Sequence, residues 1–166
     1  MLVKNIVDED FLNYKKPSMF IGCSSCTFKC DKECGKPVCQ NGALASAPNI
    51  EVPVRQLVER YLQNPLTQAV VFGGLEPFDD IENVVAFILL LRKHEAQFSD
   101  IISDVVIYTG YTEEETLHLF SRYVLELRML KNVIIKYGRF MPNQPPHYDE
   151  LLGVQLYSSN QYARPI

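Results

Sequence analysis

No apolar run in this chain is longer than eight residues: the longest, Val84 to Leu91, falls far short of the roughly twenty needed to cross a bilayer. A membrane role is not expected. Positive charge is not in excess either. Lys and Arg number 16 against 20 Asp and Glu, a formal net charge of -4. That balance argues against a protein that grips nucleic acid by neutralising phosphates. The opening stretch, MLVKNIVDEDF, holds three acids and no apolar leader core, so it does not read as a signal peptide, and a cytoplasmic protein is expected. Low-complexity tracts and linkers are missing too. With 166 residues, 47% of them hydrophobic and 22% charged, the chain fits a single globular domain over 1–166. Histidine is scarce: His94, His118 and His147 all lie far from any cysteine and read as surface or helix-face residues.

Cysteine is missing from almost the whole chain, and that makes its one appearance informative. Cys23, Cys26, Cys30, Cys34 and Cys39 all fall within 17 residues, in the polar stretch CSSCTFKCDKECGKPVCQNG. An odd number of thiols with no secretion signal does not suit a disulfide framework. Core cysteines would sit singly in apolar segments, so the cluster reads as metal-binding. Cys23 and Cys26 form a C-x2-C pair, and Cys30 with Cys34 could supply a second, as in structural zinc sites. Iron–sulfur clusters also take thiolates from one wrapped loop. Spacing alone leaves both metals open.

Periodicity supplies the context. Lys16 to Gly22 reads as a first strand running into the cysteine loop. Glu51 to Asn64 carries Val54, Leu57, Val58, Tyr61 and Leu62 at helical spacing, with Pro53 in its first turn. Thr67 to Phe72 is a second strand closed by Gly73-Gly74, and Asp79 and Asp80 cap a helix to about Gln97. Asp104 to Thr109 is a third strand. Thr112 and Glu115 then make a capping box for a helix reaching about Met129. Asn132 to Tyr137 is a fourth strand, and a short final one is expected at Gly153 to Tyr157. Strands alternate with helices, and the strands are apolar throughout, so an α/β fold with parallel strands follows. Whether the sheet is open and doubly wound or a partial barrel, periodicity leaves undecided. In either case the cysteine loop, Gly73-Gly74-Leu75-Glu76-Pro77, Thr109-Gly110 and Gly138-Arg139-Phe140 gather at the carboxyl ends of the strands, where α/β proteins build their sites.

These residues carry a resemblance. A strand, then Cys26-x3-Cys30 with Phe28 between, then a strand ending in Gly-Gly with Glu76-Pro77, resembles the radical S-adenosylmethionine superfamily. More narrowly, DVVIYTGYTEEE, KYGRF and LLGVQLYSSNQ are similar, in order and spacing, to the activating enzymes of anaerobic ribonucleoside-triphosphate reductase. The resemblance implies a partial (β/α) barrel of mostly parallel strands with the cluster loop after strand one. It also implies a [4Fe–4S] cluster held by three cysteines, with S-adenosyl-L-methionine on the open iron. Cys26, Cys30 and Cys39 are the ligands this favours, because Val38-Cys39-Gln40-Asn41 keeps the hydrophobic residue and the Asn that flank the family's third cysteine. Residue 33, where that cysteine usually falls, is Glu. Asp31 to Pro37 therefore reads as an insertion, with Cys34 the competing third ligand. Cofactor contacts are implied for Phe28, Val38, Gln40, Asn41, Gly73, Gly74, Glu76 and Thr109. Aligned on Glu76-Pro77, Leu75 replaces a glycine of the family, and Tyr137 stands where an acid is common.

The same resemblance implies two partners, the large subunit of a glycyl-radical reductase and a flavodoxin- or ferredoxin-type electron donor. No Ser-His-Asp, Cys-His or paired-carboxylate arrangement is evident, and hydrogen-atom abstraction requires none. Two other functions compete with glycyl-radical activation. One is a radical enzyme for a small molecule, similar to 7-carboxy-7-deazaguanine synthase. The other is a non-catalytic zinc-binding interaction module.

Overall fold

A computed structural model of the chain describes residues 1–98 and 101–166. Nine strands and six helices follow in the order β1 (Leu2–Asp10), β2 (Ser18–Cys23), α1 (Lys29–Cys34), α2 (Gly42–Ser46), β3 (Ile50–Glu51), α3 (Val54–Gln63), β4 (Ala69–Gly74), α4 (Ile81–Phe98), β5 (Asp104–Tyr108), α5 (Glu113–Leu119), α6 (Ser121–Arg128), β6 (Val133–Tyr137), β7 (His147–Asp149), β8 (Val154–Leu156) and β9 (Tyr162–Pro165). A 3-10 turn, Pro77–Asp80, leads into α4.

Seven strands form one sheet in the order β3-β1-β2-β4-β5-β6-β9. Its centre, β2-β4-β5-β6, is parallel, as the alternating pattern predicts. Both flanks are antiparallel, β1 on β2 and β9 on β6. The flanking strands cover what would otherwise be two exposed, apolar edges of the parallel block. Among the described residues, no helix is long and apolar enough to cross a membrane.

Strand residues alternate between two cores. Val70 and Phe72, Val105 and Ile107, and Val133, Ile135 and Tyr137 pack with Leu57, Val58 and Tyr61 of α3, Val84, Phe87, Ile88 and Leu91 of α4, and Val124 and Leu127 of α6. Their neighbours Ala69, Val71, Val106 and Ile134 face the other way, onto Tyr14, Leu152 and Leu156. That second face is covered by the β1–β2 loop and the β7–β8 hairpin. One face carries the helices, and the other is a shallow interior filled at its amino end and open at its carboxyl end. The α/β class is as expected, with one large sheet that is parallel at its centre and antiparallel at both flanks.

Three elements differ from expectation. The amino-terminal residues, to which periodicity assigned nothing, form β1, which mixes Lys4, Asp8 and Glu9 with its apolar residues. The helix expected from Thr112 to Met129 is two, because backbone at Phe120 (φ -130°, ψ 26°) leaves the helical region. There the Phe120 ring turns onto Phe78 and Tyr111, with centroids 5.3 Å from each. The expected final strand, Gly153 to Tyr157, is β8 of a separate hairpin, and β9 takes its place in the main sheet.

The β1–β2 loop is tied across the interior by polar bonds. Tyr14 Oη donates to Asp104 Oδ2 at 2.8 Å, Tyr108 Oη donates to the Asn13 carbonyl at 2.6 Å, and Lys15 N–H donates to Leu152 O at 2.7 Å. Tyr14→Phe removes one bond and leaves Asp104 its ion pair with Lys16. The expected cost is about 1 kcal/mol, read as a lower urea midpoint with an unchanged slope. A change below about 0.3 kcal/mol would show that the loop is held by the other contacts alone.

Candidate metal centre

Where β2 ends, the chain enters the cysteine loop, and a few local bonds decide where each thiol points. Glu76 N–H donates to Ser25 O at 2.7 Å, which fastens the start of the loop to the end of β4. Phe28 adopts a left-handed conformation (φ 52°) and starts α1, which carries Cys30, Asp31, Glu33 and Cys34. Asp31 then closes the inserted segment on itself. Its Oδ1 accepts from Val38 N–H and Cys39 N–H, both at 2.8 Å, and from Cys30 Sγ at 3.7 Å. Those bonds hold its carboxyl below the usual carboxylate range and bring Cys39 back to Cys30, whose thiol it meets.

Cys26, Cys30 and Cys39 line one cavity of about 760 Å³, together with Gln40, Asn41, Gly73, Gly74, Glu76 and Thr109. Phe28 and Val38 do not line it: Phe28 N–H donates to Cys26 Sγ at 3.2 Å, and Val38 faces Asp31. Cys23 lies in the helix-side core beneath the loop, where burial pushes its thiol well above the ordinary range. Cys34, at the end of α1, is half-buried and outside the cavity lining. Burial, only partly offset by Phe28 N–H, raises Cys26 to about 11. Burial and the adjoining Cys39 raise Cys30 to about 12. Only a bound cation makes thiolates favourable here, and its uptake must release protons.

Among the described residues, no three His, Cys, Asp or Glu side chains converge closely enough to ligate a single metal ion. A tetrahedral zinc with Zn–S bonds of about 2.3 Å needs such convergence. Three thiols around one cavity wall also suit the larger span of an iron–sulfur cluster. Residues 17–161 match the family described as a 4Fe-4S single cluster domain. The chain belongs to this family. No curated protein and no solved structure matches it. Family membership favours an iron–sulfur cluster over zinc.

In this 4Fe-4S single cluster domain the remaining expected residues form the wall next to the thiols. Gly74 has φ 77°, and a Cβ there would lie 2.7 Å from Leu44 Cδ2 and 3.2 Å from the Gly22 backbone. Strain and crowding against the protein itself therefore demand glycine at 74. Asn41 Nδ2 donates to the Gly74 carbonyl, tying α2 to the end of β4. Glu76 is buried and fully engaged: Oε1 accepts from Phe78 N–H (3.0 Å) and Thr109 Oγ1 (2.7 Å), and Oε2 accepts from Gly110 N–H (2.8 Å). Glu76 and Thr109 thus brace strand ends as well as bordering the cavity. The YTGYT stretch also has structural work. Tyr111 lies under Lys29 of the loop, 4.6 Å from its ring centroid, and Glu115 binds both Lys29 and Arg139.

Sequence reasoning missed several polar groups of the cavity, Asn5 and Lys136 among them. Asn5, on the unassigned β1, borders it with a buried Oδ1 that has no partner. Lys136 lies mid-strand in β6 and is 6% exposed. Its signal was available, a lone charge inside the apolar run NVIIKY.

Burial lowers the Lys136 ammonium from 10.5 to about 7, with Glu76 pulling weakly the other way. Burial also raises the Glu76 carboxyl from 4.5 to about 7, against the three donors that favour its charged form. From 10.5 down to 7 the unfolded lysine takes up a proton that the folded one refuses, so stability falls as pH drops. From 4.5 up to 7 the folded glutamate keeps a proton that the unfolded one loses, so stability falls as pH rises. Together the pair favours a stability minimum near neutral pH. Lys136→Met should flatten the alkaline arm and Glu76→Gln the acid arm, each by on the order of a few kcal/mol, read from urea midpoints of metal-free protein between pH 5 and 10. Parallel profiles for wild type and variants would contradict this.

The Asp31 clamp generates a ligand test. Cys26→Ala, Cys30→Ala and Cys39→Ala should each abolish assembly of a complete cluster under anaerobic reconstitution, whereas Cys34→Ala and Cys23→Ala should retain it. Asp31→Ala should lower bound iron toward the Cys39→Ala level, and Asp31→Asn, which keeps an acceptor, should restore most of it. Loss of iron in Cys34→Ala with retention in Cys39→Ala would reverse the assignment.

Proposed function

We propose that this domain is a radical S-adenosyl-L-methionine enzyme that installs a glycyl radical on a large partner, the anaerobic ribonucleotide reductase. The observation that carries the reading is the joining of two half-sites in one cavity: three thiols, and beside them the Gly73-Gly74 end of β4. When bound and reduced, such a cluster would supply one electron for cleavage of the sulfonium of S-adenosyl-L-methionine to methionine. A reduced flavodoxin or ferredoxin is the source of that electron.

The chain's own residues bind and orient. The Gly73 and Gly74 backbone, close to the loop thiols, offers carbonyls to the methionine ammonium. Asn41 fixes the direction of the Gly74 carbonyl by donating to it. Gln40, next to Cys39, and Thr109, at the end of β5, border the space left for the nucleoside. Glu76 holds the β4 and β5 ends at a fixed separation through Thr109 and Gly110. The open carboxyl end of the sheet would admit the partner's glycine, whose α-hydrogen would pass to the cofactor's 5' carbon to give 5'-deoxyadenosine, with the unpaired electron left on the glycine. The resemblance of YTGYT, KYGRF and SSNQ to the reductase activases supports this choice of substrate.

Anaerobically reconstituted, dithionite-reduced protein should release methionine and 5'-deoxyadenosine in equal amounts. Asn41→Ala should weaken S-adenosyl-L-methionine binding about tenfold, or about 1.4 kcal/mol, with iron content unchanged. Addition of the reductase from the same cell should produce a glycyl-radical doublet in the electron paramagnetic resonance spectrum. Protein holding about four irons that yields no 5'-deoxyadenosine would defeat the reading, and cleavage without a doublet would limit it to its first half.

A further inference from the structure

Two cationic side chains line the cavity, Lys136 and Arg139. Arg139 is committed: its guanidinium binds both Glu115 oxygens at 2.6 and 2.7 Å and pairs with Glu33 at 3.5 Å. Lys136 is not. Its Nζ donates to the Gly138 carbonyl at 2.7 Å, with the Tyr108 ring centroid 5.9 Å away. Among the described residues, no carboxylate comes within 4 Å of it. Glu76 is taken up by Phe78, Thr109 and Gly110. Gln161 offers no acceptor, since its Oε1 receives Tyr157 and Ser158 N–H, and its Nε2 donates to the same Gly138 carbonyl. An ammonium carries three donors, and one protein acceptor is here. A buried cation without a counter-ion is costly, and replacing it by an apolar residue of similar volume would relieve that cost.

We propose that Lys136 is the counter-ion of a carboxylate that enters the cavity as part of the substrate. One compact ammonium matches one negative charge, and the Tyr108 ring beside it offers an apolar wall to the group that bears the carboxylate. Its position on β6, three strands along the sheet from β2 and the cysteine loop, separates it from the methionine end of the site. Two sources supply this chemistry: a free small acid, or an acidic side chain close to the reacting glycine of a protein substrate. The inference rests on the proposed radical reading for what the carboxylate's bearer undergoes, but its binding step can be measured without any cleavage.

The test is calorimetric titration of the reconstituted full chain, without S-adenosyl-L-methionine. Benzoate and glutarate, with benzamide as the neutral control, form the small-acid arm. Acetyl-Asp-Gly-amide and acetyl-Asn-Gly-amide form the peptide arm. In at least one arm the acid should bind about tenfold or more tighter than its amide. Lys136→Met and Lys136→Gln should abolish that preference, and Lys136→Arg should retain part of it. Preference in the first arm assigns a small acid, and in the second an acidic peptide. Failure to favour the acid in both arms, including no binding at all, overturns the proposal, as does a preference that survives in both Met and Gln variants. A second titration, with S-adenosyl-L-methionine, guards the assignment. If its affinity falls in Lys136→Met as far as that of the acids, the ammonium serves the cofactor's own carboxylate and the proposal fails. Loss of S-adenosyl-L-methionine cleavage in the wild type would defeat the radical reading while leaving the carboxylate measurement intact.

Discussion

Three loops of this protein meet at one residue. Glu76 receives Phe78 N–H, the Thr109 hydroxyl and Gly110 N–H on its carboxylate, and gives its own N–H to Ser25. The turn into α4, the end of β5 and the start of the cysteine loop are therefore fixed relative to one buried group. Such a group is favourable only while its donors stay in place, because desolvation of an unpaired carboxylate costs far more than any one bond returns. Movement of any of the three loops is resisted by the other two. That mutual dependence helps to set the shape of the cavity, whose wall includes Gly73, Gly74, Gly110 and Gly138.

A second set of charges ties the insertion to this frame. Lys29 and Glu33, both on α1, reach Glu115 in the first turn of α5 and Arg139 just after β6. Glu115 also closes the capping box of α5 by accepting from Thr112 N–H. Surface ion pairs taken singly contribute little, but Arg139 is largely buried and serves two carboxylates, so this set positions the thiol loop over the sheet. The short helix α1, without a buried residue of its own, keeps its place through these side chains.

The parallel centre was legible in the sequence because strands buried on both faces are continuous apolar runs: Met19 to Ile21, Val70 to Phe72, Val105 to Ile107 and Val133 to Ile135. The flanking strands were not. β1 mixes Lys4, Asp8 and Glu9 with its apolar residues, and β9 is Tyr-Ala-Arg-Pro, a composition that only pairing with β6 makes a strand. The break at Phe120 comes from ring packing on Phe78, 42 residues away in the chain, which local periodicity cannot register. At the site, thiol clustering and glycine turns pointed to loops that the fold brings around one cavity. The bonds that aim them, from Asp31 to Cys39 and from Asn41 to Gly74, depend on a folded path. Lys136 was readable as a misplaced charge, but its meaning required knowing which face of β6 looks inward.

The Asp31 clamp also bears on the entropy of its loop. The eight residues between Cys30 and Cys39 form a loop whose closure carries an entropic cost. Here the Asp31 side chain meets part of that cost with protein hydrogen bonds. A loop closed in that way gives up less freedom if Cys30 and Cys39 take a common ligand, so the clamp lowers the entropic cost of their joint use.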